Sequence, residues 1–363
     1  MKKRMGIVLL VLLVSLMACA QKQKHEIEND FRVAPLGGGK SLEITGYVEK
    51  NQSVRIPSRL HGMPVTGIGQ AVFAKRELIS VTIPKSVTVI GDRAFAENLL
   101  TSVTIPKSVT VIGDRAFAEN QLTSVTIPSS VTAIGTRAFH NNQLTGVTIP
   151  NSVTTIGTEA FWGNQLTSVI IPNSVTAIGE WAFQENQLTS VTIGSSVTSI
   201  GAGAFYDNQL TSVTIPNSVT AIGGEAFAKN PLTNLSIASD NPTYVIRGFF
   251  LLSKDGQRLI LYFGGEESVT IPDSVTTIGA GAFSAKQLTD VTIPDSVTSI
   301  EERAFRGNQL TSITIGANVT LGRAAFEDNF NDQYSAGASY YYSYGFGRAA
   351  GTYTRRGNTW SKQ

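Results

Sequence analysis

The sequence SVTIPKSVTVIGDRAFAEN occupies residues 80–98, and the same letters occur again at residues 102–120. The two copies start 22 residues apart, and leucines mark the same phase along most of the chain. A fixed period of this length is typical of solenoids, in which each repeat buries its hydrophobic face only against the next repeat. The marking leucines are Leu78, Leu100, Leu122, Leu144, Leu166, Leu188, Leu210, Leu232, Leu288 and Leu310.

The repeats predict the domain organisation of most of the chain. The long gap between Leu232 and Leu288 contains extra residues and then a degenerate unit that starts at Glu266, and an earlier unit starts near Asn51. We therefore predict a β-rich repeat solenoid of about twelve coils of 22 residues, counting the unit near Asn51. Its main array is expected over residues 78–330, with a hairpin insertion at residues 239–265. Short parallel strands and helical turns are expected to form each coil.

Within a unit, the residue pattern predicts a strand followed by turns. In the unit that starts at Leu100, residues 102–105 alternate polar and apolar side chains, and Pro106 then ends the strand. Gly113 is expected to supply a turn with unusual backbone angles. Residues 115–117 are expected to form a helical turn, and the Asn120 amide is expected to satisfy backbone groups of the turn.

Phenylalanine recurs at position 18 of the unit and predicts the core. Eleven of the 17 phenylalanines hold this position once a one-residue deletion in the last unit is allowed. One coil cannot bury such a ring alone, so stacked coils should form a continuous column of rings. The phenylalanines are Phe73, Phe95, Phe117, Phe139, Phe161, Phe183, Phe205, Phe227, Phe283, Phe305 and Phe326.

The consensus LTSVTIPxSVTxIGxxAFxxNQ resembles the BspA-like class of bacterial leucine-rich repeats, over about residues 42–330. Residues 44–73 are similar to the family's N-terminal unit, and residues 239–265 are similar to its hairpin insertion, with a turn at Asp255–Gly256. The resemblance implies a curved leucine-rich-repeat array that is exported and displayed on the cell surface. It also implies adhesion to host matrix proteins, other bacteria or innate receptors.

The N-terminus predicts export and a lipid anchor. Residues 2–4 are basic, residues 7–16 are almost wholly apolar, and Cys19 is the only cysteine of the chain. Residues 1–18 therefore indicate a signal peptide, and their resemblance to a bacterial lipoprotein signal implies lipidation of Cys19 and attachment to a membrane. The alternative is an ordinary secretory signal with an incidental cysteine. Residues 19–30 are expected to form the lipidated tether.

Both ends of a solenoid need covers. We expect residues 31–77 to form an N-terminal capping unit. Residues 331–363 are rich in tyrosine and are expected to form a C-terminal cap or tail, with a hairpin over Arg356–Gly357. A stacking platform for sugars or bases is the alternative reading of these aromatic residues.

Composition and motifs argue against several function classes. The net charge of +2 gives no strong field for nucleic acid. Residues 34–41 fit a relaxed phosphate-loop pattern, but they lack the following helix that such a loop requires. The three histidines are scattered, without metal-ligand spacing. We therefore predict a non-enzymatic protein without catalytic residues, metal or cofactor.

The positions where the repeats differ provide the candidate site. Position 19 carries His140, Trp162, Gln184 and Tyr206 in successive coils, and Trp181 lies beside them at position 16. Exposed aromatic residues favour interfaces, so we predict that His140, Trp162, Trp181 and Tyr206 form a ligand-binding ladder. The alternative is that these rings lie flat and cover the coil edges.

Three functions fit these observations. The first is a surface-anchored scaffold that binds a protein or glycan at the cell surface. The second is a passive structural or envelope-coating protein without a ligand. The third is templated binding to ice or glycans by the threonine row at position 5, although β-propensity alone explains that row.

Overall fold

The computed structural model describes residues 28–317, 319–327, 329, 351–356 and 359–362. The chain winds into a β-solenoid of about thirteen stacked turns, which confirms the predicted repeat solenoid. Three segments of each coil stack on the equivalent segments of the next coil. We call them the first wall (positions 3–6), the second wall (positions 12 and 13) and the third wall (positions 15–20).

The first wall consists of short parallel strands whose side chains alternate between solvent and core. Most of these strands pair in register with an equivalent strand of a neighbouring coil, usually 22 residues away, as in the pair Val103 and Val125. The Ser and Thr residues face solvent and the Val residues face the core. The strands are Ser53–Arg55, Ser80–Thr82, Ser102–Thr104, Ser124–Thr126, Val147–Thr148, Ser168–Ile170, Ser190–Thr192, Ser212–Ile215, Asn234–Ile237, Ser268–Thr270, Asp290–Thr292 and Ser312–Ile315.

The second wall contains the longest sheet. It begins with the antiparallel pair Phe31–Leu36 and Ser41–Tyr47 and then continues in parallel, with Arg59–Leu60 paired to one side. The turn between the first two strands holds residues 37–40, so the relaxed phosphate-loop pattern lies in a hairpin. The parallel strands of this sheet are Met63–Ile68, Val89–Ile90, Val111–Ile112, Ala133–Ile134, Thr155–Ile156, Ala177–Ile178, Ser199–Ile200 and Ala221–Ile222. A separate sheet continues the second wall beyond residue 258 with Thr277–Ile278, Ser299–Ile300 and Thr320–Leu321.

The third wall is not helical, so the prediction of helical turns is wrong. Among the described residues, only Glu28 and Asn29 are helical. The N–H groups of positions 16, 18 and 20 donate to the carbonyl groups of positions 15, 17 and 19 in the next coil. In the coil that starts at Leu100, the pairs are Arg115 to Thr136, Phe117 to Ala138 and Glu119 to His140, over 2.7–2.9 Å.

Backbone conformation explains why no helix forms there. Positions 16 and 20 adopt the left-handed conformation, with φ of 56° at Arg115 and 55° at Glu119. Left-handed residues cannot continue a right-handed helix. The N–H groups that a helix would bond internally are therefore used between coils, and we call these rows of bonds the peptide ladder.

Gly113 also differs from its prediction, because its φ is not positive. A Cβ at Gly113 would lie 2.8 Å from the backbone carbon of Gly91 in the preceding coil. Position 14 therefore carries glycine because neighbouring backbones approach closely there, and not because the turn needs left-handed angles.

The predicted phenylalanine column forms the core. From Phe73 to Phe227, neighbouring rings are nearly parallel, with centroids 5.3–5.6 Å apart. A second run continues from Tyr262 to Phe326, with spacings of 4.8–5.3 Å. Stacked coils thus bury rings that a single coil would expose.

Asparagine at position 21 closes most coils. The Asn120 side-chain amide donates to the carbonyl groups of Phe95, Phe117 and Ala118 over 2.9–3.2 Å, and its oxygen accepts from the N–H of Leu100. The same pattern recurs at other coils. One buried side chain therefore joins two coils and satisfies carbonyl groups beside the phenylalanine column.

An insertion separates the array into two blocks. Strands Tyr244–Arg247, Phe250–Ser253 and Arg258–Tyr262 form an antiparallel meander. The last of these strands then pairs in parallel with Thr277–Ile278. The hydrophobic core is divided into two clusters, and the meander contributes side chains to both. We call residues 31–237 the N-terminal block and residues 258–327 the C-terminal block.

The C-terminal strands cover an edge of the first wall. Strand Gly351–Arg356 pairs antiparallel with Ser312–Ile315, and Thr359–Lys362 pairs antiparallel with Gly351–Arg356. Backbone groups that the last parallel strand would leave open are thereby bonded. Within the described residues, no helix has the length and hydropathy needed to cross a bilayer.

Candidate functional site: a cleft at the junction of the blocks

A cleft of about 400 Å³ lies on the third wall where the two blocks meet. All eleven side chains that line it occupy repeat positions 16, 19 or 20. These positions project from the peptide ladder, and they differ between coils while the inward positions stay nearly constant. The cleft is therefore lined by positions whose residue type varies between coils, and not by the repeated residues that build the core.

Small residues explain why the cleft opens at this place. The coil that starts at Glu266 carries Gly281, Ser284 and Ala285 at the three outward positions. Arg303 and Arg306 of the following coil form the far side of the cleft. The Glu225 side chain lies over Gly281, where a Cβ would fall 2.1 Å from Glu225 Cγ.

Aromatic residues line the other end of the cleft. Trp162, Trp181 and Tyr206 are half-buried there. Trp181 meets Tyr206 edge-to-face, with ring centroids 5.9 Å apart. The Trp181 indole also covers Gly203 in the next coil. The predicted ladder residues thus cover coil edges and also present surface to the cleft.

His140 lies behind this aromatic end. Its ring meets Trp162 edge-to-face at 5.1 Å, but it does not line the cleft. Burial lowers the pKa of His140, and the carboxylate of Glu159, 3.9 Å away, opposes that shift. Its Nδ1 atom is buried without a hydrogen-bond partner in the described part of the chain. The His140 ring therefore packs behind Trp162 and supports it.

Ion pairs fix the charged side chains near the aromatic end. Arg137 donates two hydrogen bonds, of 2.6 and 2.7 Å, to Glu159, and this bonding raises the pKa of Arg137. Lys229 Nζ lies 2.5 Å from Asp207 and 5.7 Å from the Tyr206 ring centroid. These groups already have partners, so they shape the cleft more than they attract a ligand.

Glu225 lies at the junction and forms no ion pair with any residue that the structure describes. It is only 8% exposed, and its Oε1 atom has no hydrogen bond within the described residues. Burial raises the pKa of Glu225, and the positive charges of Arg303 and Arg306 oppose the shift. Arg303 Nε is likewise buried without a hydrogen bond in that part of the chain.

The peptide ladder is also incomplete at the junction. Glu225 N–H still reaches the Ala280 carbonyl at 3.2 Å. The N–H groups of Phe227 and Lys229, the next two rungs, have no partner among the described residues. Tyr262 N–H bonds to the Ala282 carbonyl, which is the equivalent acceptor for Phe227. The two blocks thus separate beside the cleft.

Two larger grooves, of about 960 and 550 Å³, lie on the first wall. They are lined mainly by repeated Ser, Thr, Ile and Pro residues. The threonine row is interrupted there by Ile170, which is 67% exposed. These grooves therefore lack the mixture of aromatic and charged side chains that lines the cleft.

Sequence reasoning identified one end of the cleft and missed the other. Of the predicted residues, Trp162, Trp181 and Tyr206 line the cleft together, whereas His140 lies behind it. Glu225, Arg303 and Arg306 were missed because the insertion hides their proximity in the sequence. The sequence signal that could have located the cleft is the set of small residues Gly281, Ser284 and Ala285 at the three outward positions of one coil. The predicted lipid-attachment residue, Cys19, lies outside the described residues.

Within the described residues, no group of three or more His, Cys, Asp or Glu residues could hold a metal ion.

A model of the BspA-type leucine-rich repeat region, in six copies, matches residues 66–187, 132–253 and 263–334. No curated protein matches the chain.

Three solved structures are similar to this chain. A leucine-rich cell surface protein from Faecalibacterium prausnitzii A2-165 is 30% identical, over 83% of this chain and 79% of that chain, with a TM-score of 0.61. A leucine-rich repeat protein from Bacteroides ovatus is 23% identical, over 83% and 91%, with a TM-score of 0.51. The pneumococcal vaccine antigen PcpA is 18% identical, over 82% and 77%, with a TM-score of 0.53. The last two show the fold alone.

Proposed function

Because the chain belongs to the BspA-type leucine-rich repeat family, we propose that it is a non-enzymatic surface scaffold that binds a macromolecule through the junction cleft. The observation that carries this proposal is the origin of the cleft side chains, all from the outward positions 16, 19 and 20. The volume of the cleft, about 400 Å³, lies in the usual range of ligand-binding sites. Adhesion to host matrix or other cell-surface molecules is the role we assign to it.

We further propose that the protein is exported and anchored by a lipid on Cys19. The basic and apolar N-terminal residues and the single cysteine support this location. The similar protein from Faecalibacterium prausnitzii is described as a cell surface protein, which agrees with the proposal. Such an anchor would leave the solenoid free to present its cleft.

The test is a binding screen of the full-length protein, in detergent, against matrix proteins and glycans. We expect saturable binding of at least one partner that Trp162→Ala weakens. Glu119→Gln is the matched control, because Glu119 occupies the same wall outside the cleft lining. Absence of saturable binding to every partner would favour a passive envelope-coating protein instead. The half-buried, mutually packed rings of Trp181 and Tyr206 suit that alternative, since they also cover coil edges.

A further inference from the structure

We propose that the junction cleft binds a carbohydrate chain, with one sugar hydroxyl bridging Glu225 and Arg303. The inference rests on the proposed binding function and names the class of ligand. It starts from two buried polar atoms, Glu225 Oε1 and Arg303 Nε, that lack hydrogen bonds within the described part of the chain. Both residues line the same cleft.

The two atoms require opposite partners. A carboxylate oxygen only accepts hydrogen bonds, and a guanidinium N–H only donates them. No salt bridge joins Glu225 to Arg303, although the charge of Arg303 acts on Glu225. The nearest carboxylate atom to Arg303 Nε, Glu327 Oε2, lies 3.9 Å away, beyond hydrogen-bond distance. A hydroxyl group has the chemistry that both atoms require, because it donates to a carboxylate and accepts from a guanidinium.

The mixed charges of the cleft do not favour a ligand of strong single sign. Four carboxylates line it, from Glu159, Glu185, Asp207 and Glu225, against three cations, from Lys229, Arg303 and Arg306, which leaves a net charge of −1. An anionic ligand would be repelled by Glu225, and a cationic ligand would be repelled by the two arginines. A neutral ligand with several hydroxyl groups avoids both penalties.

The aromatic end supplies the apolar contact that a sugar needs. Trp162 and Trp181 present large, rigid surfaces with limited conformational freedom. The C–H face of a pyranose ring is apolar and packs against such surfaces, while its hydroxyl groups point toward the rim. The Glu185 carboxylate and Gln184 amide lie in the same lining and are bonded to each other at 2.8 Å.

The size of the cleft favours a sugar chain over a folded protein. A stable protein interface buries about 800 Å² on each partner, over a broad surface. The cleft has a volume of about 400 Å³, which suits a ligand of a few rings. A protein partner would need additional contacts outside it.

The experiment uses the full-length protein on an oligosaccharide array, followed by titration of the best neutral oligosaccharide. Two of the three tryptophans line the cleft, so tryptophan fluorescence reports binding, and Trp360→Phe removes the third signal. We expect Glu225→Gln and Trp162→Ala each to weaken affinity by about tenfold or more. Glu119→Gln should leave affinity unchanged. The melting temperature of Glu225→Gln should not fall, because the change removes a buried charge.

The possible outcomes distinguish the carbohydrate inference from the proposed scaffold function. Equal sugar affinity in Glu225→Gln, Trp162→Ala and the parent would overturn the cleft as the sugar site. Binding to a protein partner that depends on Trp162, with no sugar bound, would overturn the carbohydrate inference and keep the scaffold function. Failure to bind any macromolecule would overturn both.

Discussion

The indole ring of Trp181 occupies the space where a side chain on Gly203, one coil further on, would begin. A Cβ at Gly203 would lie 1.7 Å from Trp181 Cε3. Gly203 also has a φ of +59°, at a position where other coils carry Arg or Glu in the same conformation. The glycine is therefore matched to the tryptophan of the preceding coil, and it lets the indole lie against the backbone at the aromatic end of the cleft.

Gly203→Ala should consequently displace Trp181 and destabilise the array. The left-handed conformation alone costs about 1–2 kcal/mol for alanine, and the collision adds about 1–3 kcal/mol. Gly307→Ala is the matched control, since Gly307 has a φ of +68° but its Cβ would make only ordinary contacts. Chemical denaturation of both variants measures the difference in free energy of unfolding. Equal losses would show that the indole does not occupy this place.

Phe205→Ala tests the phenylalanine column. The Phe205 ring is fully buried and stacks on Phe183 at 5.5 Å and Phe227 at 5.4 Å. Removing it should lower the free energy of unfolding by about 3–5 kcal/mol, because a cavity remains between coils. Thr126→Ala, on the exposed face of the first wall, should cost less than about 1 kcal/mol. A similar loss in both variants would contradict the assignment of inward and outward faces.

Asn142→Ala tests the side-chain bonds between coils. The Asn142 amide donates to the carbonyl groups of Phe117, Phe139 and His140, and its oxygen accepts from Leu122 N–H. Alanine would leave these buried groups without partners, which should cost more than about 2 kcal/mol. Asn151→Ala, at an exposed position, is the control. Comparable denaturation midpoints for the two variants would refute this role.

Two coils lack asparagine at position 21, and both follow an irregular segment. Arg76 holds the position in the first complete coil and donates to the carbonyl groups of Tyr47 and Glu49. Lys286 holds it in the coil that follows the insertion. The Lys286 ammonium group has no hydrogen bond or ion pair within the described residues, and burial lowers its pKa to about 8.

Lys286→Asn should therefore stabilise the protein at neutral pH. The lowered pKa means that the unfolded chain binds more protons than the folded chain between pH 8 and 10.5. The parent's stability should rise across that window relative to the variant and be constant below it. At pH 7 the variant should gain on the order of 3 kcal/mol. Thermal unfolding of both proteins from pH 6 to 10.5 measures the effect, and a pH-independent difference would contradict it.

Cys19→Ser should release the protein from the membrane. The proposed lipidation of Cys19 would supply the acyl chains, and two or more chains hold a protein stably where one does not. Detergent partitioning of the parent and the variant gives the answer. A variant that remains fully in the detergent phase has another anchor.

The repeat period and the inward residues made the solenoid predictable from the sequence. Phe117 and its equivalents recur at a fixed position, and only stacking buries them. The third wall was not predictable in the same way, because Arg115 and Glu119 are ordinary helix formers that carry no sign of left-handed backbone. Their conformation depends on bonds to the next coil, which local propensity does not contain.

The cleft was half predictable for a related reason. Trp162 and Tyr206 are spaced by whole repeats, so their proximity follows from the period. Arg303 lies far along the chain from Trp162. The meander between the blocks interrupts the 22-residue spacing, so the period no longer tells which coils are neighbours. Only the structure shows that Arg303 lies across the cleft from the aromatic residues.

The peptide ladder gives the third wall an electrical polarity. Its N–H groups at positions 16, 18 and 20 all point toward the C-terminal end of the array. Aligned peptide dipoles add, as they do along a helix, and leave partial positive charge at the end where N–H groups are free. The ladder of the N-terminal block ends at the N–H groups of Phe227 and Lys229, which have no hydrogen bond within the described part of the chain. Its positive end therefore lies near the cleft that Lys229 lines, and it favours ligand oxygen atoms there.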